Sequence, residues 1–430
     1  MNIISYLEWR GDISIARLPL CEADYAVIGC CSYFPYDGIV PESFDAQPVS
    51  LWNTVNRIKE LADLEGDGRS FHYKEDDEMT QRLLNSPRFT SLQLIGFRNI
   101  IDEEKQEQFS AITMLLPNRQ SIVVFRGTDR TLTGWKEDFN MLYLEDVPSQ
   151  KEALLYLEES AKYTKENYGN EIYICGHSKG GNLSMYSAAY CSDEVKKRIK
   201  AVVSLDGPGF SKERTESPEF LSIKDRVYSF IPQQSVVGML LEHPEKHSVI
   251  HSSGAAFWQH SIYTWEIRRG DFIRETDIKN LSRNVDATLT NWFVSISREK
   301  REMLVEGFWK VVQASGADNT EDLFTFKSTF NMMKSMGKID DETKEIMSEA
   351  IKLFMKAIRK MQKDNKEVRK ENRRKRREKT RKSKNAVLNI TTEEGDHNLI
   401  EKKTSKSGNI DKDPGTTRGT KGDNVSAQKI

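Results

Sequence analysis

Ser178 stands in Gly176-His177-Ser178-Lys179-Gly180, a G-x-S-x-G spacing. A short apolar run from Ile172 to Cys175 precedes it, and a segment carrying Leu183, Met185, Tyr186 and Ala189 follows. Strand, tight turn and helix in that order project a serine hydroxyl above a sheet edge and aim a helix N-terminus at the same point. Glycines at 176 and 180 suit such a turn, because a Cβ would forbid its angles and close approaches. The chemistry favoured is nucleophilic attack on a carbonyl. It needs a base to take the serine proton, an acid to orient that base, and backbone donors for the developing oxyanion.

The base must come from seven histidines, at 72, 177, 243, 247, 251, 260 and 397. His72 precedes the predicted sheet, His397 lies in the tail, and His177 sits within the turn, directed away from the hydroxyl or into the core. The other four follow the last predicted strand, where a base belongs in the order serine, acid, histidine. His260, in Phe257-Trp258-Gln259-His260-Ser261, is the preferred base, since it follows a glycine-containing loop and precedes an apolar segment with Trp265; His251 stands second. His243 and His247, amid Glu242, Glu245 and Lys246, read as solvated surface. For the acid, Asp206 directly follows an apolar strand and opens Asp206-Gly207-Pro208-Gly209. It could instead be a turn-forming aspartate that caps its own backbone. Asp225 precedes its strand and lies at the wrong end of the sheet. Phe125-Arg126-Gly127-Thr128-Asp129 also follows a strand directly. Either it is an ordinary strand-ending turn, or the N–H groups of Thr128 and Lys179 converge on a carbonyl oxygen as an oxyanion hole. Trp135 and Asp138 are expected to lock that loop, away from substrate.

These residues need a sheet beneath them. Leu92–Phe97, Gln108–Leu115 and Ser121–Phe125 are three predicted strands joined by polar turns of hairpin length, an antiparallel ribbon entering the sheet. Strand and helix then alternate: a helix at about 149–167, strand Ile172–Cys175, the helix after Ser178, and strands Ala201–Leu205 and Arg226–Ile231. Such alternation implies parallel pairing with right-handed crossovers, an α/β fold. In open sheets of this kind the ligand faces the carboxyl ends of the strands, here residues 126–129, 176–180, 206–209 and 232–235. Helix-like segments fill the first 86 residues. From about residue 275 the pattern is helical, ending in a candidate helix at 342–362 with Ile346, Met347, Ala350, Ile351, Phe354, Met355, Ile358 and Met361 on one stripe. The domain plan is therefore an α/β domain over 1–270, a helical extension over 271–361 and a basic, largely disordered tail over 362–430.

Charge is unevenly placed. Residues 356–384 hold sixteen Lys or Arg against four Asp or Glu, a net of +12 in a chain of net −1, so the remainder carries −13. The run contains no aromatic residue, so base stacking is unsupported and nucleic acid is the least favoured partner. A solvated helix, contact with an anionic membrane surface and a nucleic-acid patch remain as readings. Five cysteines, at 21, 30, 31, 175 and 191, show no C-x-x-C pair and read as reduced cytosolic thiols. Nothing in their spacing from histidine suggests a metal site, and no cofactor motif is present. The start of the chain has no basic or continuous apolar leader, and no window nears eighteen apolar residues, so secretion and membrane spanning are disfavoured. The expected location is cytoplasmic, with the tail at the inner face of the membrane as an extension of that reading.

Taken together, Phe125-Arg126-Gly127-Thr128, Trp135-Lys136-Glu137-Asp138-Phe139 and Gly176-His177-Ser178-Lys179-Gly180-Gly181-Asn182 resemble the class 3 lipase branch of the α/β-hydrolases. Ile4-Ser5-Tyr6-Leu7-Glu8-Trp9-Arg10-Gly11-Asp12, Asp206-Gly207-Pro208-Gly209-Phe210 and Gln259-His260 resemble more closely a bacterial family of unknown function within that branch. The resemblance covers about residues 1–270. It implies a lipase-like serine esterase acting on a small-molecule or lipid ester, with Ser178 as nucleophile, Thr128 as an oxyanion donor and a late histidine, here His260. Two departures stand out. The residue after the serine is usually Leu and here is Lys179; the acid normally follows the next strand, where Gln233-Gln234-Ser235 offers no carboxylate. A complete triad would then draw its acid from Asp206. The other reading is a hydrolase fold used as a non-catalytic binding or scaffold module.

Overall fold

A computed structural model describes residues 1–65, 74–243, 245, 247–254, 256–275, 292, 295–317, 322, 326–337, 339–353 and 356. In chain order the elements are α1 (Ile3–Arg10), α2 (Glu22–Cys31), β1 (Val49–Ser50), α3 (Leu51–Glu65), α4 (Asp76–Leu84) and α5 (Pro87–Thr90). The sheet continues with β2 (Gln93–Asp102), β3 (Glu107–Leu115) and β4 (Gln120–Phe125), then α6 (Leu132–Asn140), α7 (Pro148–Asn167), β5 (Glu171–His177), α8 (Lys179–Tyr190) and α9 (Asp193–Arg198). After these come β6 (Ile199–Leu205), α10 (Lys212–Thr215), α11 (Pro218–Leu221), β7 (Val227–Pro232) and β8 (His247–Ile250). Further on come α12 (Arg298–Ala314) and α13 (Phe326–Met336).

Eight strands form one sheet in sequence order from β1 to β8. The first four pair antiparallel and β4 to β8 pair parallel. The antiparallel ribbon leading into parallel strands is thus present as the turn lengths and the strand–helix rhythm imply. Alternate side chains of each strand face opposite sides. Ile122 and Val124 of β4, Cys175 of β5 and Val203 and Leu205 of β6 pack under α1 to α5. Val123, Phe125, Ile174 and Val202 pack against α7, α8 and the short helices before β7. Right-handed crossovers leave the three helical connections from β4 to β7 on that second face, so the N-terminal helices must cover the first.

Their attachment is a buried ion pair. Arg88 of α5 donates to Asp24 of α2 through Nε at 2.7 Å and Nη2 at 2.5 Å, with neither side chain exposed. The guanidinium also binds the carbonyls of Ile13, Leu18 and Pro19, and Asp24 accepts from Tyr6 Oη and the Cys21 N–H at 2.8 Å each. Removing one member of such a pair strands the other charge in the interior. Asp24→Ala is therefore expected to cost about 3–5 kcal/mol in chemical denaturation; a loss below about 1 kcal/mol would mean that the carbonyls alone hold the guanidinium.

Two strands escape the sequence pattern. β1 is two residues long, and β8 lies where the charged neighbours of His243 and His247 read as solvated surface. That reading needs correction: Glu245 is 6% exposed and accepts from Ser229 Oγ at 2.5 Å and from His243 Nδ1 at 2.9 Å. A charged stretch becomes interior once its carboxylate finds two partners. Contacts divide the chain into one unit, Met1–Gln362, and a second, Lys363–Ile430. Within the first, α12 packs on α6: Glu306 binds both Lys136 and Tyr143, and Phe308 meets Phe139 at 5.2 Å between ring centres. The stripe expected over 342–362 begins as a helix at 341–353 with Ile346 and Met347 buried; its remainder and the basic run from 357 lie outside the described residues.

Candidate active site

β5 ends at His177 and α8 begins at Lys179, so Ser178 alone makes the turn between them. Its backbone lies at φ 58°, ψ −130°, a region that favours glycine and stores strain. The turn closes only because of its glycines. A Cβ on Gly180 would sit 2.1 Å from the Phe125 carbonyl oxygen, and one on Gly127 2.9 Å from Ser178 Cβ, where the loop after β4 presses on the serine. Ser178 is half-buried, and among the described residues its hydroxyl makes no hydrogen bond. In unliganded sites the serine–base bond commonly forms only with substrate.

The structure brings His260 and Asp206 together. His260 Nδ1 lies 2.7 Å from Asp206 Oδ2, and the carboxylate is 1% exposed. Asp206 leaves β6 at a positive φ of 54°, which turns its side chain across the sheet edge. Its other oxygen accepts from Ser235 Oγ at 2.5 Å. The segment after β7, where the resemblance expects an acid, therefore contributes a hydroxyl to Asp206. His251, the second candidate, pairs at the surface with Glu275 at 2.6 Å and is not part of this cluster.

His177 packs behind His260. Its ring is buried and lies 4.5 Å from that of His260, centre to centre. His177 Nε2 meets the His260 carbonyl at 2.8 Å and Nδ1 meets Tyr33 Oη at 2.9 Å. A carbonyl can only accept, so Nε2 carries the proton and Nδ1 accepts from the tyrosine. The histidine of the motif thus braces the loop that carries His260.

On the other side, Thr128 Oγ1 donates to both oxygens of Asp138, at 2.6 and 2.8 Å. Burial pushes the Asp138 carboxyl up to about 6, against the lowering pull of Lys179, the Thr128 hydrogen bond and His260. Asp138 accordingly holds the loop after β4, whereas Trp135 stands 39% exposed. Lys179 is the first residue of α8, so its N–H has no partner within the helix. Its ammonium turns away from the serine into the protein, where it is 1% exposed and binds Glu137 Oε2 at 2.8 Å. The sequence presents Lys179 as a charge beside the site; folding instead places that charge in an ion pair behind it. Tyr33 and Glu137 were not legible as site residues; their only sequence signals are a late place in an apolar helix and adjacency to Asp138. Ser235 falls in the ligand-facing stretch 232–235, but its partner does not show in the sequence. Among the described residues, no group of three or more His, Cys, Asp or Glu is arranged to hold a metal ion.

A mostly parallel sheet that delivers a strained serine from β5, with an aspartate–histidine pair at the same edge, is the architecture of the lipase-like α/β-hydrolases. The chain belongs to the Mbeg1-like family, whose model matches residues 83–310, from the end of α4 into α12. Among solved structures, a fungal lipase in complex with an inhibitor aligns at 12% identity and TM-score 0.34, covering 58% of this chain and 80% of its own. The M37 lipase aligns at 13% identity and TM-score 0.32, covering 50% and 68%. No curated protein matches.

Proposed function

We propose that this chain is a serine hydrolase of carboxylic esters, with Ser178 as nucleophile, His260 as base and Asp206 as orienting acid. The observation that carries the reading is the 2.7 Å pairing of His260 Nδ1 with a buried Asp206, at the sheet edge where Ser178 leaves β5. With Nδ1 bound to the carboxylate, Nε2 is left to take the serine proton as Oγ attacks the ester carbon. The N–H groups of Thr128 and Lys179 receive the oxyanion. The imidazolium, stabilised by Asp206, then protonates the leaving alcohol, and water repeats the sequence on the acyl-enzyme. Lys179 and the missing late acid favour a non-catalytic scaffold; the pairing of Lys179 with Glu137 and of His260 with Asp206 supports the catalytic reading over it. A fluorophosphonate probe tests the reading: it should label the folded protein and fail on Ser178→Ala.

A lipid-like or long-chain acyl ester is the substrate class we favour. Val236, Val237, Met239, Leu240 and Leu241 lie half-buried after β7, beside the acid, and Trp258, two residues before the base, is 77% exposed. Amphipathic aromatic rings at a site mouth suit a lipid–water boundary. Among the described residues no helix is long and apolar enough to cross a membrane. On its net charge of +12 we assign membrane contact to the basic run, as a peripheral clamp on anionic lipid at the cytoplasmic face. The full chain is expected to float with anionic vesicles at low salt and release at high salt, and a chain ending at residue 355 to stay behind. If neither floats at low salt, the clamp is wrong.

A further inference from the structure

The two oxyanion donors sit on separate elements, Thr128 after β4 and Lys179 at the start of α8, yet their side chains end on adjacent residues of one helix. Thr128 is held by Asp138, and Lys179 Nζ by Glu137. The ammonium spends its remaining protons on the carbonyl and side-chain oxygens of Gln108, at 2.6 and 2.8 Å. Glu137, with no exposed surface, also accepts from the N–H groups of Gln108 at 3.0 Å and Ser149 at 2.8 Å, which ties it to β3 and to the start of α7. Lys136, one residue earlier, is bound by Glu306 of α12. Successive residues of a helix point about 100° apart, so α6 can grip three different elements at one level.

A buried ion pair gains little over well-packed apolar side chains of the same volume, so filling space does not explain why a lysine stands here. What the pair adds is direction: three hydrogen bonds fix the Lys179 stem, and the stem fixes the peptide between Ser178 and Lys179. We propose that Glu137 and Lys179 form a positioning pair which, with Asp138, sets the separation of the two oxyanion donors. Glu137 touches no substrate. The inference rests on the hydrolase reading above and assigns a role that the reading alone does not require.

The test separates positioning from stability. Lys179→Met strands Glu137 and should lower the melting temperature, whereas Lys179→Met combined with Glu137→Gln removes both charges and should regain most of it. In that double variant, kcat on soluble p-nitrophenyl butyrate should stay about 10- to 100-fold below wild type, with KM within about twofold. Lys179→Gln, which can still donate to Glu137, should keep more of kcat than Lys179→Met. Recovery of kcat together with stability, equal kcat in the Gln and Met variants, or a rise in KM at unchanged kcat would each overturn the proposal. If wild type itself neither turns over the ester nor reacts with fluorophosphonate, the hydrolase reading fails separately. The pair is then judged by the amide resonances of Thr128 and Lys179 in Glu137→Gln, which keeps both residues; they must shift, and unshifted resonances would reject it.

Discussion

Ser178→Ala is expected to remain folded, to lose all fluorophosphonate labelling, and to turn over a soluble ester on the order of 10⁶-fold more slowly than wild type. The fold should tolerate the change because the hydroxyl makes no hydrogen bond among the described residues and alanine keeps the same backbone preferences. The strain at φ 58° gives a second readout. Ser178→Gly removes the Cβ that disfavours this conformation, and should raise stability by about 1 kcal/mol while being as inactive as alanine. An active site that gains stability when its nucleophile is deleted has traded stability for geometry. Labelling that persists in Ser178→Ala would place the reactive group elsewhere and end the proposal.

Asp206→Asn should lower kcat by about 10⁴-fold with little change in melting temperature. The substitution is nearly isosteric in a buried position, and the amide oxygen can still accept from Ser235 Oγ. What fails is the tautomer. An amide NH₂ facing His260 Nδ1 at 2.7 Å would donate to it, moving the ring proton to Nε2 and leaving nothing there to accept from Ser178. His260→Ala should fall to a similar floor, and the double variant no lower, since the two residues act as one unit. A loss of less than about tenfold in Asp206→Asn would show that another group orients the base.

Much of the proposed site stands at places in the sequence that local rules mark. Strand, glycine-flanked serine and helix are contiguous in the chain, so the turn at Ser178 is written in neighbouring residues. Thr128 and Asp206 both stand just past apolar strands, and parallel order carries such residues to one edge of the sheet. His260, the proposed base, is the one that elimination among seven histidines prefers. The short β8 was hidden, because four residues amid charges carry no period-2 signal and gain their place only by pairing with β7.

Chain order and side-chain type by themselves determined the α/β class, the turn that exposes Ser178 and the short set of residues able to serve it, since these depend on periodicity and on glycine sterics over a few positions. Tertiary structure alone decided which of those residues meet. Asp206 and His260 are 54 positions apart, Glu137 and Lys179 are 42 apart, and no local rule says whether a buried lysine points toward the serine or away from it. That choice belongs to partners on other elements. A charge enters the interior only where folding has already assembled enough hydrogen bonds to hold it.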